Sequence, residues 1–139
     1  MSPLTSASSG RHDSMLIDTD VLIWVFRGKA KAARLVDSIA DRHISIITYM
    51  ELIQGARNRQ ELKEIKGFLS DYGFVLLPLT ENIGHRASIY VEEYGLSMAM
   101  TAADALIAAT ATEHGLTLCT GNRKHYKPIR DLDLKSFRP

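Results

Sequence analysis

The chain has 139 residues, of which 45% are hydrophobic and 24% are charged, and its net charge is +1. These values are ordinary for one folded domain with its own core. They exclude an intrachain disulfide framework, because Cys119 is the only cysteine, and this single thiol fits a reducing cytoplasm. No apolar run approaches the roughly 18 residues of a membrane-spanning helix, so the sequence predicts no membrane association.

The first fourteen residues are rich in Ser, Pro and Gly and contain almost no apolar residues. They lack the apolar stretch of a secretory signal. We interpret residues 1–14 as a disordered leader or an expression tag, with Met15 as a candidate natural start. Residues 15–139 are predicted to form the folded domain.

The chain then alternates between short strands and helices. A first strand is predicted at residues 15–18, an apolar run that ends in an acid. Asp20 is predicted to cap a helix over residues 21–26, because short polar side chains are favoured at that position. A second helix is predicted over residues 29–41, and a second strand over residues 44–47.

The alternation continues to the C-terminus. Further helices are predicted over residues 48–56, 60–72, 80–94 and 101–114. Further strands are predicted over residues 74–77, 116–119 and 132–134. This order is typical of an α/β fold, with a mainly parallel sheet of four or five strands covered by helices on both faces.

Three polar residues follow the strands of this predicted sheet. Asp18 ends the first strand, Glu51 lies just past the second, and Asn122 lies just past the fourth. Ligands of such sheets bind outside the carboxyl ends of the strands. The pattern therefore predicts that these side chains lie at one edge of the sheet.

Asp104 is a fourth candidate, since it lies in a predicted helix that is apolar on nearly all sides. A buried carboxylate is unfavourable unless it is paired, hydrogen-bonded or bound to a metal. Thr101-x-x-Asp104 and Thr48-x-x-Glu51 also have the form of a capping box, so both acids could serve as helix caps. The two interpretations are compatible, because the first turn of a helix holds a carboxylate rigidly at its positive end.

Asp18, Glu51 and Asp104 would repel one another if they met at one edge, and at least one pKa would rise. A divalent cation removes that repulsion. Carboxylates combined with water are the ligands that Mg²⁺ and Mn²⁺ prefer. The five histidines are scattered along the chain and predict no zinc site.

Four segments carry a resemblance to a known family: residues 16–23 (LIDTDVLI), 45–52 (SIITYMEL), 103–109 (ADALIAA) and 118–126 (LCTGNRKHY). In order and spacing they resemble the PIN domain, and within that family the VapC toxins of type II toxin–antitoxin pairs. The resemblance covers residue 15 to the C-terminus. It implies a PIN-like α/β/α sandwich and a Mg²⁺- or Mn²⁺-dependent endoribonuclease. It also implies a homodimer with a small VapB-like antitoxin as partner.

The resemblance also assigns roles to individual residues. Asp18, Glu51 and Asp104 fall on the family's three core acids and are predicted to hold the metal. Asn122 falls on a fourth acidic position and is predicted to assist a second, weaker metal position through its oxygen. Thr120 is predicted to orient a carboxylate or a water, and a strand-end hydroxyl bonded to the backbone is the alternative.

The mechanism implied is in-line attack of hydroxide on phosphorus, leaving a 5′-phosphate and a 3′-hydroxyl without a general-base histidine. Two basic clusters are predicted to flank the edge and contact RNA phosphates. Their candidate substrate-binding residues are Arg27, Lys29, Arg123 and Lys124. Candidates for stacking on a base are Trp24, Tyr49 and Tyr126, with core packing as the alternative for Trp24.

Two other functions fit parts of the pattern. Asp18-Thr-Asp20 after an apolar strand also has the form found in haloacid-dehalogenase-like phosphatases, where Asp18 would be a nucleophile. A suitable lysine motif and a final pair of aspartates are missing from the sequence. The second alternative is a PIN-like module that binds RNA or a partner but cuts poorly, since Asn122 brings no charge.

Overall fold

The computed structural model describes residues 14–139 and shows a five-stranded sheet with helices on both faces. The predicted leader lies outside the described residues, except for Ser14, which begins the first strand. The strands are β1 (Ser14–Ile17), β2 (Asp41–Ser45), β3 (Val75–Leu77), β4 (Thr117–Thr120) and β5 (Leu134–Ser136).

Seven helices connect these strands within the described residues. They are α1 (Thr19–Phe26), α2 (Ala30–Ser38), α3 (Ile46–Gln54), α4 (Arg59–Asp71), α5 (Glu81–Met98), α6 (Ala102–Glu113) and α7 (Arg123–Tyr126). Across residues 14–139, none of them combines the length and the apolar character needed to cross a membrane.

All strand pairs are parallel, and the strand order is β3-β2-β1-β4-β5. The chain runs outward from β1 to β3 and then returns to add β4 and β5 on the other side of β1. The connections therefore change direction between β1 and β4, which is the switch point where α/β sheets bind their ligands. The predicted fold class is confirmed.

Alternating side chains of the central strands feed two separate cores. Leu16 and Leu118 are fully buried and pack with Ile83 and Ala105 of α5 and α6. Ile17, the next residue of β1, is buried on the opposite face with residues from α1 to α4. Helices thus cover both faces of the sheet, as an all-parallel sheet requires.

The predicted boundaries around the second strand were wrong. The strand β2 ends at Ser45, and Ile46 already belongs to α3. The Ser45 hydroxyl accepts a hydrogen bond from the backbone N–H of Ile47 at 3.0 Å, which makes Ser45 the N-cap. Thr48 lies inside the helix, so the predicted capping box of Thr48 and Glu51 is wrong.

The predicted cap of the first helix was also wrong. Asp18 is the N-cap of α1, and its carboxylate accepts a hydrogen bond from the Thr19 backbone N–H at 2.8 Å. Asp20 lies in the first turn of the helix instead. The last strand lies two residues beyond its predicted start, and the short helix α7 was not predicted.

Candidate active site

Asp18 lies at the switch point of the sheet, directly after β1, and only 4% of it is exposed. One carboxylate oxygen, Oδ1, accepts the bond from the Thr19 backbone. The other, Oδ2, accepts a hydrogen bond from the Thr120 hydroxyl at the end of β4, at 2.7 Å. Since each oxygen has one donor, the orientation of the carboxylate is fixed.

Glu51 is connected to the same place through Thr19. The Thr19 hydroxyl donates to Glu51 Oε1 at 2.6 Å and lies 2.9 Å from the buried hydroxyl of Thr48. Glu51 is itself exposed, because it projects from the solvent side of α3. Asp18 therefore forms the floor of the site and Glu51 its rim.

Asp104 lies in the first turn of α6, where its backbone N–H bonds to the Thr101 hydroxyl at 3.1 Å. Its carboxylate contacts α7 instead of that cap. Oδ1 accepts a hydrogen bond from the Tyr126 hydroxyl at 3.3 Å, and Oδ2 lies 3.4 Å from His125 Nδ1. The helix cap and the acid thus have separate tasks, with Thr101 capping the helix.

A further acid, Asp20, joins the site, although the sequence pattern predicted it as a helix cap. Its Oδ2 accepts a hydrogen bond from the backbone N–H of Gly121 at 3.0 Å. Its Oδ1 is buried and has no hydrogen-bond partner within residues 14–139. The two-residue spacing from Asp18 was the available signal, because a strand end and a first helical turn bring such residues to one place.

The buried acids Asp18 and Asp20 lie close enough to other charges for their pKa values to be perturbed. Burial raises the pKa of Asp18 from 3.8 to about 7, and the negative charge of Asp20 adds to the rise, with a smaller contribution from Asp104. Hydrogen bonds from Thr120 and Thr19 oppose it. Burial also raises the pKa of Asp20, with Asp104 again contributing. Positive charge placed among these groups would be strongly favoured.

The donor set fits a hard divalent cation. All the side-chain atoms that could bind a metal are oxygens, and they include Oδ1 of Asp20, which has no hydrogen-bond partner in residues 14–139. Within residues 14–139, no group of three or more His, Cys, Asp or Glu is arranged to hold an ion by itself. An ion bound here would therefore keep water molecules among its ligands, which is usual for Mg²⁺.

Asn122 has a different environment from the acids. Its backbone N–H donates to the Thr120 hydroxyl at 2.9 Å, but its side chain is exposed. With Arg123 and Lys124 it lines a cavity of about 390 Å³, which also contains Lys127 and Arg138. The loop after β4 thus separates this basic cavity from the acids.

The first basic cluster lies farther away. Arg27 follows the C-terminal end of α1, an eight-residue helix that begins beside Asp18. At 1.5 Å per residue, that helix separates them by about 12 Å. Arg27 borders another groove, of about 480 Å³, together with Arg57. Arg27 shares that groove with Leu52, the residue after Glu51, and Lys29 is exposed in the turn that follows α1.

The aromatic candidates for base stacking also differ in exposure. Tyr126 is fully buried, with its hydroxyl on Asp104, so the prediction that it stacks on a base is wrong. Trp24 is partly buried in the second core and has the Arg27 guanidinium 5.5 Å from its ring. Burial among core residues supports the packing alternative for Trp24.

Comparison with known proteins gives consistent matches over most of the chain. The PIN domain family model matches residues 15–130. Ribonuclease VapC1 of Rickettsia felis is 33% identical over 126 residues, covering 86% of this chain and 93% of that protein. Ribonuclease VapC1 of Methanocaldococcus jannaschii is 29% identical, covering 88% and 86% respectively.

A solved structure agrees with these matches. A toxin–antitoxin complex from Klebsiella pneumoniae contains a chain with 31% sequence identity and a TM-score of 0.74. The likeness covers 86% of this chain and 95% of that chain. Sequence and fold therefore point to the same group of proteins.

Proposed function

This chain belongs to the PIN-domain family and is a ribonuclease of the VapC kind. We propose that Asp18, Glu51 and Asp104 form the active site in which it cleaves RNA. The observation that carries the assignment is the buried Asp18 at the switch point of the sheet. Thr19 connects it to Glu51, and the charge of Asp104 raises its pKa. These contacts support a site that is shared by three acids from distant segments of the chain.

We propose that these three acids hold Mg²⁺ or Mn²⁺. Asn122 at a second, weaker position stays a prediction. When bound, such a cation supplies a Lewis acid that activates water and neutralises charge on the phosphate. Phosphodiester hydrolysis then joins a water oxygen to phosphorus and breaks the bond to O3′. The leaving oxygen takes a proton, and the products are a 5′-phosphate and a 3′-hydroxyl.

The neighbouring hydroxyl groups hold the acids in place. Thr120, Thr19 and Tyr126 each donate one hydrogen bond to a carboxylate oxygen of Asp18, Glu51 or Asp104, respectively. A carboxylate oxygen has two lone pairs, so each keeps one for another partner. Ligands fixed in this way need little rearrangement when they bind an ion.

The RNA path is proposed to include the basic cavity that contains Arg123 and Lys124. Gly121 lines that cavity and donates its backbone N–H to Asp20, so this one residue connects the cavity to the acids. Phosphate contacts position a nucleic acid without reading its sequence. Contact of RNA with Arg27 and Lys29 stays a prediction, and it requires a strand that extends about 12 Å beyond the acids.

The proposed partners are RNA and a small antitoxin, in line with the toxin–antitoxin complex of the Klebsiella relative. The homodimer stays a prediction. The exposed apolar residues Ile89 and Leu96, seven positions apart on one side of α5, are a candidate face for it. A cytoplasmic location also stays a prediction.

The direct test replaces Asp104 by Asn. The variant D104N is expected to lose RNA cleavage by more than about a hundredfold while keeping the circular dichroism spectrum of the folded protein. The variant D71N, which alters an exposed acid at the end of α4, is the matched control and should cleave normally. Cleavage by D104N at the normal rate, or full activity in excess EDTA, would contradict the proposal.

The same assay separates the two alternatives. The family match goes against the haloacid-dehalogenase-like phosphatase, which would release phosphate from a simple monoester. A PIN-like module that cuts poorly would bind RNA in Mn²⁺ without producing fragments.

A further inference from the structure

The Asp20 side chain does not serve as the N-cap of α1, although an acid in the first turn is favourable for a helix. Asp18 already caps α1, so Asp20 is not needed for that task. Its Oδ2 instead holds the Gly121 N–H, across 101 residues of sequence. Its Oδ1 is buried and makes no hydrogen bond of normal geometry within residues 14–139, although the backbone N–H groups of Val21 and Asp20 lie close enough to lower the pKa of the carboxyl. A buried carboxylate oxygen without a donor is unfavourable unless a bound ion or water satisfies it.

Because Gly121 has no side chain, there is room beside it for the Asp20 carboxylate. A Cβ atom at position 121 would lie 2.5 Å from Asp20 Oδ2, which is closer than such atoms approach. Gly121 does not have the positive φ found at Gly28, Gly73 and Gly115, so its backbone conformation does not require glycine. The missing side chain therefore serves the contact with Asp20.

The surroundings of Asp20 match those of the core acids better than the surroundings of Asn122 do. Asp20 lies close enough to Asp18 and Asp104 for their charges to interact, and its Oδ2 bonds to the loop that follows β4. The exposed side chain of Asn122 borders the basic cavity. Asp20, two residues after Asp18, is therefore a candidate for the role that the fourth acid has in the family.

We propose that Asp20 is the fourth carboxylate of the metal site, held by the Gly121 backbone and presenting Oδ1 to the cation or to one of its waters. This inference rests on the proposed function. Asp20 then compensates for the amide at position 122, and the Gly121 contact fixes Asp20 beside Asp18.

The test is a calorimetric titration of the purified full chain with Mn²⁺, which measures the dissociation constant of the metal. The variant D20N keeps an oxygen that can accept from Gly121, but it loses the charge. Its Mn²⁺ dissociation constant is expected to rise about 10- to 100-fold. The melting temperature of the metal-free protein should not fall, because the repulsion among the acids decreases.

Four further variants distinguish a metal ligand from a residue that only supports the fold of the site. G121A should weaken Mn²⁺ binding by displacing Asp20, and the double variant with D20N should bind no more weakly than the weaker single variant. N122A should weaken Mn²⁺ binding less than D20N does, because the Asn122 side chain is exposed and carries no charge. D37N alters an exposed acid of α2 and is the charge control, expected to be unchanged.

Wild-type affinity in D20N would overturn the inference, and so would a loss of affinity in N122A with none in D20N. Both results would leave the ribonuclease proposal intact, provided that the variant D18N still loses binding. If the wild-type protein binds no Mn²⁺ and cuts no RNA in Mn²⁺, the proposed function fails together with the inference.

Discussion

Asp18 gives the metal-free protein an unusual dependence on pH. Its folded-state pKa of about 7 lies above the ordinary value of 3.8, so folding favours the protonated form. The corresponding stability is fully present below about pH 4 and is lost as the pH rises through 7. In EDTA, the melting temperature should therefore be at least about 5 °C lower at pH 8 than at pH 5.

The variant D18N is the control for this pH effect, because an amide does not titrate. Its melting temperature should change much less between the two pH values when measured by the same thermal melts. Identical pH profiles for wild type and D18N would show that the Asp18 carboxyl is not perturbed as described.

Thr19 is predicted to act on catalysis through Glu51. The variant T19V removes the hydroxyl that donates to Glu51 Oε1 and contacts Thr48. We expect kcat for RNA cleavage to fall about 10- to 100-fold, the range found when partners of metal ligands are removed. The free energy of unfolding should fall by only about 1 kcal/mol.

T19S, which restores the hydroxyl, should recover most of the activity, measured as cleavage rates at saturating Mn²⁺. If T19S and T19V were equally impaired, the methyl group of Thr19 and not its hydrogen bond would be responsible.

At the scale of the elements, two helix caps provide a matched pair. Thr101 caps α6, which carries Asp104, and Thr80 caps α5, which carries none of the four acids. Replacing either by Ala should lower the free energy of unfolding by about 1 kcal/mol. T101A should also reduce cleavage, because the first turn that positions Asp104 loosens, whereas T80A should not. Urea unfolding and cleavage rates measure both effects, and equal activity of the two variants would contradict this argument.

The helices and strands could be predicted where apolar periodicity was strong, as for β1 and α6. Prediction failed at the junction of β2 and α3, because Ile46 and Ile47 are suited to a strand, and Ser45 and Thr48 are both suited to a cap. The deciding contact is the Thr48 hydroxyl beside Thr19, which lies 29 residues away. Local preference cannot reveal a choice made by a tertiary hydrogen bond.

The candidate site was predictable to a similar degree and for similar reasons. Acids that end a strand or begin a helix, such as Asp18 and Asp104, can be recognised in the sequence from the apolar run beside them. The place of Asp20 depends on its contact with Gly121, and the burial of Tyr126 depends on how α7 packs. Neither follows from residue types or spacing, because both arise only when the distant loop after β4 reaches β1.

At the scale of the whole molecule, the strand order determines which segments meet at the candidate site. Since β4 pairs with β1, the loop after β4 meets the start of α1, although their contact joins residues 101 positions apart. Arg86 of α5 strengthens the same arrangement, as its guanidinium pairs with Glu113 at the end of α6 and with Asp131 before β5.

The uneven charge of the molecule leads to the last prediction. The net charge is only +1, so attraction to RNA must come from local clusters. Arg123 and Lys124 line the cavity that Gly121, the hydrogen-bond partner of Asp20, also borders. Neutralising both should lower the slope of log affinity against log salt by about 1.4, at about 0.7 per phosphate contact on single-stranded RNA. The binding should be measured with D104N, so that the RNA stays intact.

The control removes two exposed charges of α4, Lys63 and Lys66, and should leave the slope unchanged. Removal of Arg27 and Lys29 distinguishes the two predicted RNA clusters. An effect equal to that of Arg123 and Lys124 would mean that the bound RNA extends along α1. If only the Arg27 and Lys29 variant changed the slope, the RNA would not pass through the cavity. The slope reports the counterions that are released where a basic side chain contacts a phosphate, so a side chain without such a contact does not affect it.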